Sequence, residues 1–148
     1  MNRIHYTLIM AALALATPFA SAQTTVSDPW VRGTVAQQKA TGAFMQITSA
    51  QGGKLVAVSS PVAGVVEIHE MSMSGNVMKM HAIPELALPA GKAVELKPGG
   101  YHVMMMDLKQ PMTDGEVVPL TLVVVGKDGK RETIEVKAPV KPLGAMKH

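Results

Sequence analysis

Two imidazoles and two thioethers stand at a spacing that could hold a soft metal ion: His69, Met80, His102 and Met104, which read H-x10-M-x21-H-x-M. The chain has twelve methionines, five histidines and no cysteine. Thioether sulfur is a soft donor and imidazole a borderline one. A set with both, and with no thiolate or carboxylate, suits monovalent copper better than zinc, calcium or magnesium. None of the four donors adds charge when bound, so a Cu(I) site built from them would keep the ion's single positive charge. Neutral donors of this kind favour release by ligand exchange over bond-making chemistry. The absence of cysteine excludes a thiol nucleophile, a CxxC redox pair and a blue-copper centre, which needs a thiolate. No Ser-His-Asp set, paired acids or phosphate loop stands out, and two histidines are few for a copper redox enzyme, so no catalysis is expected.

Positioning these residues is work for β-strands. Short apolar or alternating runs recur, separated by Gly, Pro, Ser and Asn: Trp30–Gly33, Gly42–Ser49, Lys54–Ser59, Val65–Met73, Val77–Ile83, Ala93–Lys97, His102–Leu108, Val117–Val125 and Arg131–Val136. Runs of this length and spacing predict an all-β sandwich or barrel. The longer connection Pro84–Lys92 has room for a single helical turn. Side chains two apart share a face of a strand, which puts His102 and Met104 together. His69, Met71 and Met73 form one parity set, and Met78 and Met80 another, with a hairpin turn between them. A Ser74-Gly75 loop places His69 opposite Met80, across about 5 Å. Moving the loop to Gly75-Asn76 slides Met80 opposite Met71, and a three-residue loop brings His81 opposite His69. The first register is preferred because it pairs an imidazole with a thioether. Completion of a four-donor set further requires the His102 strand to border this hairpin.

The remaining methionines divide by parity. Met105 alternates away from Met104 and is expected in the core, while Met106 shares the donor face further along. Met71 and Met73 form either an exposed soft patch beside the site or ordinary packing, since methionine fills irregular cores. Glu67 lies on the parity of His69. It is read as a solvated surface carboxylate with the option of orienting that histidine. Glu70 and Asp107 fall on the opposite parity.

The first residues read as an export signal: Arg3, an apolar stretch from Thr7 to Ala16, and the small residues Ala20-Ser21-Ala22 before a cleavage point. The apolar stretch is short of the about 20 residues that span a bilayer. Removing residues 1–22 from the 148 leaves 126, enough for one domain with a single core. Cleavage after Ala22, a periplasmic location, a domain over residues 23–140 and a mobile tail over 141–148 are expected. In that tail Met146 and His148 are read as an inert end. The formal charge of +3 comes from scattered basic residues, which lends nucleic-acid binding no support. Nothing indicates an obligate partner, so a monomer is expected.

The motif and its surroundings resemble the PCu(A)C periplasmic copper chaperones. The residues that carry the resemblance are Val66-Glu67-Ile68-His69-Glu70-Met71, Leu88-Pro89-Ala90-Gly91 and Leu96-Lys97-Pro98-Gly99-Gly100-Tyr101-His102-Val103-Met104, with Trp30-Val31-Arg32 and Gly42-Ala43-Phe44-Met45 earlier. The similarity covers nearly all of the chain after Ala22. It implies a cupredoxin-like Greek-key β-sandwich that binds one Cu(I) through His69, Met80, His102 and Met104. It further implies delivery toward the Cu(A) centre of cytochrome c oxidase, to subunit II or to another assembly chaperone. The tail is poorer in His and Met than the extended tails of some relatives, which argues against a second site there. A passive copper store and a metal-free binding module are the competing readings.

Overall fold

The structure, a computed structural model, describes residues 23–142. The expected signal through Ala22 and residues 143–148, including Met146 and His148, lie outside the described residues. Ten strands follow in order: β1 (Thr24–Arg32), β2 (Ala40–Ser49), β3 (Gly53–Ser59), β4 (Ala63–Ser74), β5 (Val77–Ile83), β6 (Leu86–Leu88), β7 (Ala93–Leu96), β8 (His102–Leu108), β9 (Val117–Gly126) and β10 (Arg131–Lys141). Among the described residues there is no helix, and none long and apolar enough to cross a membrane.

The hydrogen-bonded path runs β5-β4-β8-β2-β1-β10-β9-β3-β6, with β7 pairing to β2. One layer holds β5, β4, β8, β2, β1 and β7, and the other β10, β9, β3 and β6. A short parallel pairing of β1 and β10, Val31 to Val140 and Arg32 to Lys141, joins the two. The crossed connections make this the expected cupredoxin-like Greek-key sandwich. Period-two patterning explains the layers. In β9, Val118, Leu120, Leu122 and Val124 are buried, and they meet Ala43, Met45, Ile47, Val103 and Met105 of the other layer in one core. Met105 is fully buried, as its parity predicts.

Three local expectations need correction. Pro84–Lys92 holds no helical turn: Leu86–Leu88 pairs with β3 as β6, burying Leu86 and Leu88. Strand β1 begins at Thr24, six residues early, because backbone pairing with β2 carries a mostly polar stretch, Thr24 to Asp28, that has no apolar run to signal a strand. A register shift between Ser27 and Trp30, with Asp28 at φ 51°, separates that stretch from the rest of β1. Strand β10 continues past Val136 because Ala138 and Val140 keep the buried parity while Pro139 lies on the exposed side. Lys141, expected in the tail, is therefore the last residue of β10, and its carbonyl accepts from Gly33 N–H at 2.7 Å.

Candidate metal centre

The hairpin of β4 and β5 takes the Gly75-Asn76 loop, with Ser74 paired to Val77. Gly75 adopts φ 62° while Asn76 keeps a negative φ, the pattern of a II′ turn with glycine first. Hence Met71 faces Met80, Met73 faces Met78 and His69 faces Ala82, which corrects the preferred register. The reason is local: glycine takes the left-handed position without strain, whereas a Ser74-Gly75 loop would set the serine there.

Strand β8 lies on the other side of β4, so the bordering that spacing alone could not establish is present. His69 stands directly opposite His102, and Glu67 opposite Met104. The two imidazole centroids are 5.7 Å apart, and both residues are more than nine-tenths buried. This pair sits on the outer face of the layer, away from the core formed by Ile68, Val103 and Met105. Across the β4–β5 register, Met80 leans back over β4 and brings its Sδ to 2.9 Å from His102 Nε2. The diagonal reach of a flexible thioether thus replaces the direct cross-strand pairing.

Hydrogen bonds fix what each ring offers. His102 Nδ1–H donates to the Gly100 carbonyl at 2.9 Å, which leaves the Nε2 lone pair directed to Met80 Sδ. His69 Nε2–H donates to Glu67 Oε2 at 2.8 Å. A carboxylate only accepts, so in the neutral ring Nδ1 keeps its lone pair, and that atom is buried without a partner. Each imidazole therefore has one nitrogen held by an oxygen acceptor, the arrangement by which outer carboxylates and carbonyls orient metal-binding histidines, while the other nitrogen has no partner in His69 and meets Met80 Sδ in His102. Glu67 is at once solvent-accessible, with its side chain 43% exposed, and the orienting partner of His69.

Met80, His102, Met104 and Met71 line one cleft of about 290 Å³, together with Arg32, Gln38, Gly42 and Phe44. The Phe44 ring folds over Gly42, where a Cβ would come to 2.6 Å from Cζ, so the small residue makes room for this wall. Phe44 lies 6.4 Å from the His102 ring and 4.6 Å from Trp30, with the Arg32 guanidinium 5.5 Å from its centroid. Among the described residues no three His, Asp or Glu side chains converge as a metal-binding group. An ion at this cleft would accordingly draw on sulfur as well as nitrogen, and the donor set fits a soft monovalent cation. Met71, read from spacing as either a soft patch beside the site or packing, lines the cleft, and so does Phe44, which spacing did not single out. Met71 would have followed from the Gly75-Asn76 register. His81, the third imidazole considered, is on the other face, bonded to Glu70 Oε1 at 2.7 Å.

Residues 24–140 match the family described as "Putative lipoprotein LpqE-like". The chain belongs to this family, that of the PCu(A)C domains. A curated relative, "Putative lipoprotein Lxx21020" of Leifsonia xyli subsp. xyli, is 33% identical over 100 residues, which is 66% of this chain and 59% of that protein. The chain thus spans less than two thirds of that relative's length. Among solved structures, apo-DR1885 from Deinococcus radiodurans is 30% identical, covers 97% of this chain and 95% of its own, and superposes with a TM-score of 0.61. The same protein solved as CuI-DR1885 is 32% identical over 88% of this chain and 83% of its own, with a TM-score of 0.59. The apo PCuAC domain of PmoF1 shares the fold at a TM-score of 0.65, covering 82% of this chain and 96% of its own, with 22% identity.

Proposed function

We propose that this LpqE-like protein is an exported copper chaperone. It binds one Cu(I) through His69, Met80, His102 and Met104 and passes the ion on by ligand exchange, toward the Cu(A) centre of cytochrome c oxidase in the periplasm. The observation that carries the reading is the 2.9 Å approach of His102 Nε2 to Met80 Sδ. With the His102 proton held on Nδ1 by Gly100, two lone-pair atoms face each other at a distance that a shared cation would stabilise. Support comes from the unsatisfied Nδ1 of His69, whose ring centroid lies 5.7 Å from that of His102, and from the Cu(I) form of the 32% identical DR1885.

In this reading His69 and His102 are held in place before the ion arrives, while Met80 and Met104 close on it from the solvent side. Release runs in reverse: a recipient's thiolate or imidazole displaces a thioether first, because those sulfurs are weak, neutral and on flexible stems. No bond in a substrate is made or broken, so no enzymatic role is assigned.

The test is anaerobic Cu(I) competition against a chromophoric chelator, with the chain from Gln23 onward and its Met80→Ala and His102→Ala variants. One equivalent held by the unaltered chain and sharply weakened in both variants is the expected result. Weak binding indifferent to both changes would leave a metal-free module. Tight binding without transfer to the oxidase's copper-receiving domain would leave a store.

A further inference from the structure

Three methionines outside the four-donor set line up on the same face of the β4–β5 hairpin. Met73 and Met78 are directly paired near its turn, one pair in from Ser74 and Val77, and Met71 comes next on that face, paired with Met80. Directly opposed side chains on a strand pair have Cβ atoms about 4.5–5.5 Å apart, within reach of one another's thioethers. Burial does not explain why these positions carry methionine. Met73 and Met78 are 63% and 49% exposed, and β5 is an edge strand covered by nothing on its outer side among the described residues. A chain packing apolar residues would gain little here, and alternatives without sulfur would keep the same strand pairing. The polar residues of the hairpin, Glu70, Ser72, Lys79 and His81, occupy the other face in their own pairs. From Met71 to Met73 and from Met78 to Met80 this face carries no charged side chain, Glu67 lying further along it beyond His69, and the row of sulfurs leads from solvent to the cleft that Met71 and Met80 both line.

The geometry points to a second station for a soft monovalent ion, Cu(I) or Ag(I), formed by the thioethers of Met71, Met73 and Met78 at the turn end of the hairpin. Three neutral sulfurs hold such an ion weakly and discriminate against zinc and calcium, which prefer nitrogen or oxygen. Its role as an entry point rests on the four-donor site proposed above. From the station, the ion exchanges a Met71 or Met73 sulfur for that of Met80, then gains His102. The oxidation state is unchanged and no proton moves. The station itself stands on the methionine row alone.

The experiment uses protein labelled with 13C at the methionine methyl groups and titrated with Ag(I), a redox-silent soft ion. In a His69→Ala/His102→Ala variant, the methyl resonances of Met71, Met73 and Met78 are expected to shift on addition of Ag(I) and to ignore Zn(II). In unaltered protein the same methyls respond to the second equivalent, a reading that does not depend on the variant folding. Replacing all three by leucine, which keeps apolar volume, is expected to remove one bound equivalent while the Met80 and Met104 methyls still respond. Three silent methyls in both proteins would overturn the station, and would leave the hairpin face an apolar surface only. Responsive Met71, Met73 and Met78 beside silent Met80 and Met104 would sustain it while removing the four-donor reading.

Discussion

The nitrogen half and the sulfur half of the candidate centre are built in opposite ways. His69 and His102 face each other across two interior strands, are buried, and have one ring nitrogen each tied to Glu67 or Gly100. Met80 stands on an edge strand, 45% exposed, in a hairpin whose turn end carries the exposed Met73 and Met78. The contrast separates holding from exchanging. Ordered imidazoles lose little freedom when an ion arrives, whereas exposed thioethers can swing away and admit a competing donor. A site uniformly like the first half would hold its ion too well to pass it on. One uniformly like the second would have no fixed point to select it.

The hardest blow to the comparison falls on the ordered half. His102→Ala removes a donor that no neighbour can replace, since the opposite face of β8 is core. Cu(I) affinity should fall by more than the about 100-fold that loss of an outer partner alone can cost, as read by chelator competition. A fall smaller than tenfold would shift the weight to the sulfurs and reverse the roles assigned to the two halves.

Acidification reaches the same half without mutation. An imidazole must be deprotonated to bind a metal, whereas a thioether does not titrate. Protons therefore compete at two of four donors. Affinity is expected to be lower at pH 5 than at pH 7. The direction is fixed: lower pH, weaker binding. A flat profile from anaerobic competition at both values would place the ion on sulfur alone.

A finer probe is Glu67→Gln, which keeps an acceptor for His69 Nε2–H but removes the negative charge. Second-partner changes at metal sites cost about 10–100-fold, and the half-exposed position of this carboxylate puts the expectation at the lower end. Glu67→Ala should cost more, because it frees the ring to rotate. Equal binding in both variants would return Glu67 to the solvated surface role that its composition class suggests.

How far the sequence reached follows the same division. Strands such as His102–Leu108 and Val77–Ile83 were legible to the residue, because short apolar or alternating runs bounded by turn residues are a one-dimensional signal. So was the face of Met105 against that of Met104. The register of the β4–β5 hairpin was not, since Ser74-Gly75 and Gly75-Asn76 are both acceptable turn pairs and only the three-dimensional strand pairing decides. The adjacency of β4 and β8, which brings His69 opposite His102, joins residues 33 apart in the chain through no local signal. The polar first part of β1 and the short β6 were missed for a related reason. Both are strands because of what lies beside them, not because of their own pattern.

The smallest expected effect sharpens the comparison most. Met80→Leu keeps the volume and apolar character of a side chain on an exposed edge, so folding stability should stay within about 0.5 kcal/mol of the parent by denaturant unfolding. The same change deletes one sulfur from the proposed centre and should lower Cu(I) affinity several-fold. Met105→Ala, in the fully packed core on the far side of β8, should do the reverse. It costs about 2–5 kcal/mol of stability and leaves affinity per folded molecule nearly unchanged. One residue type thus serves two physical ends, dispersion in the core and soft donation at the rim, and the pair of variants separates them in opposite directions. If Met80→Leu weakened the fold instead, that sulfur would be packing against His102, and the 2.9 Å approach would be a contact with no ion to share.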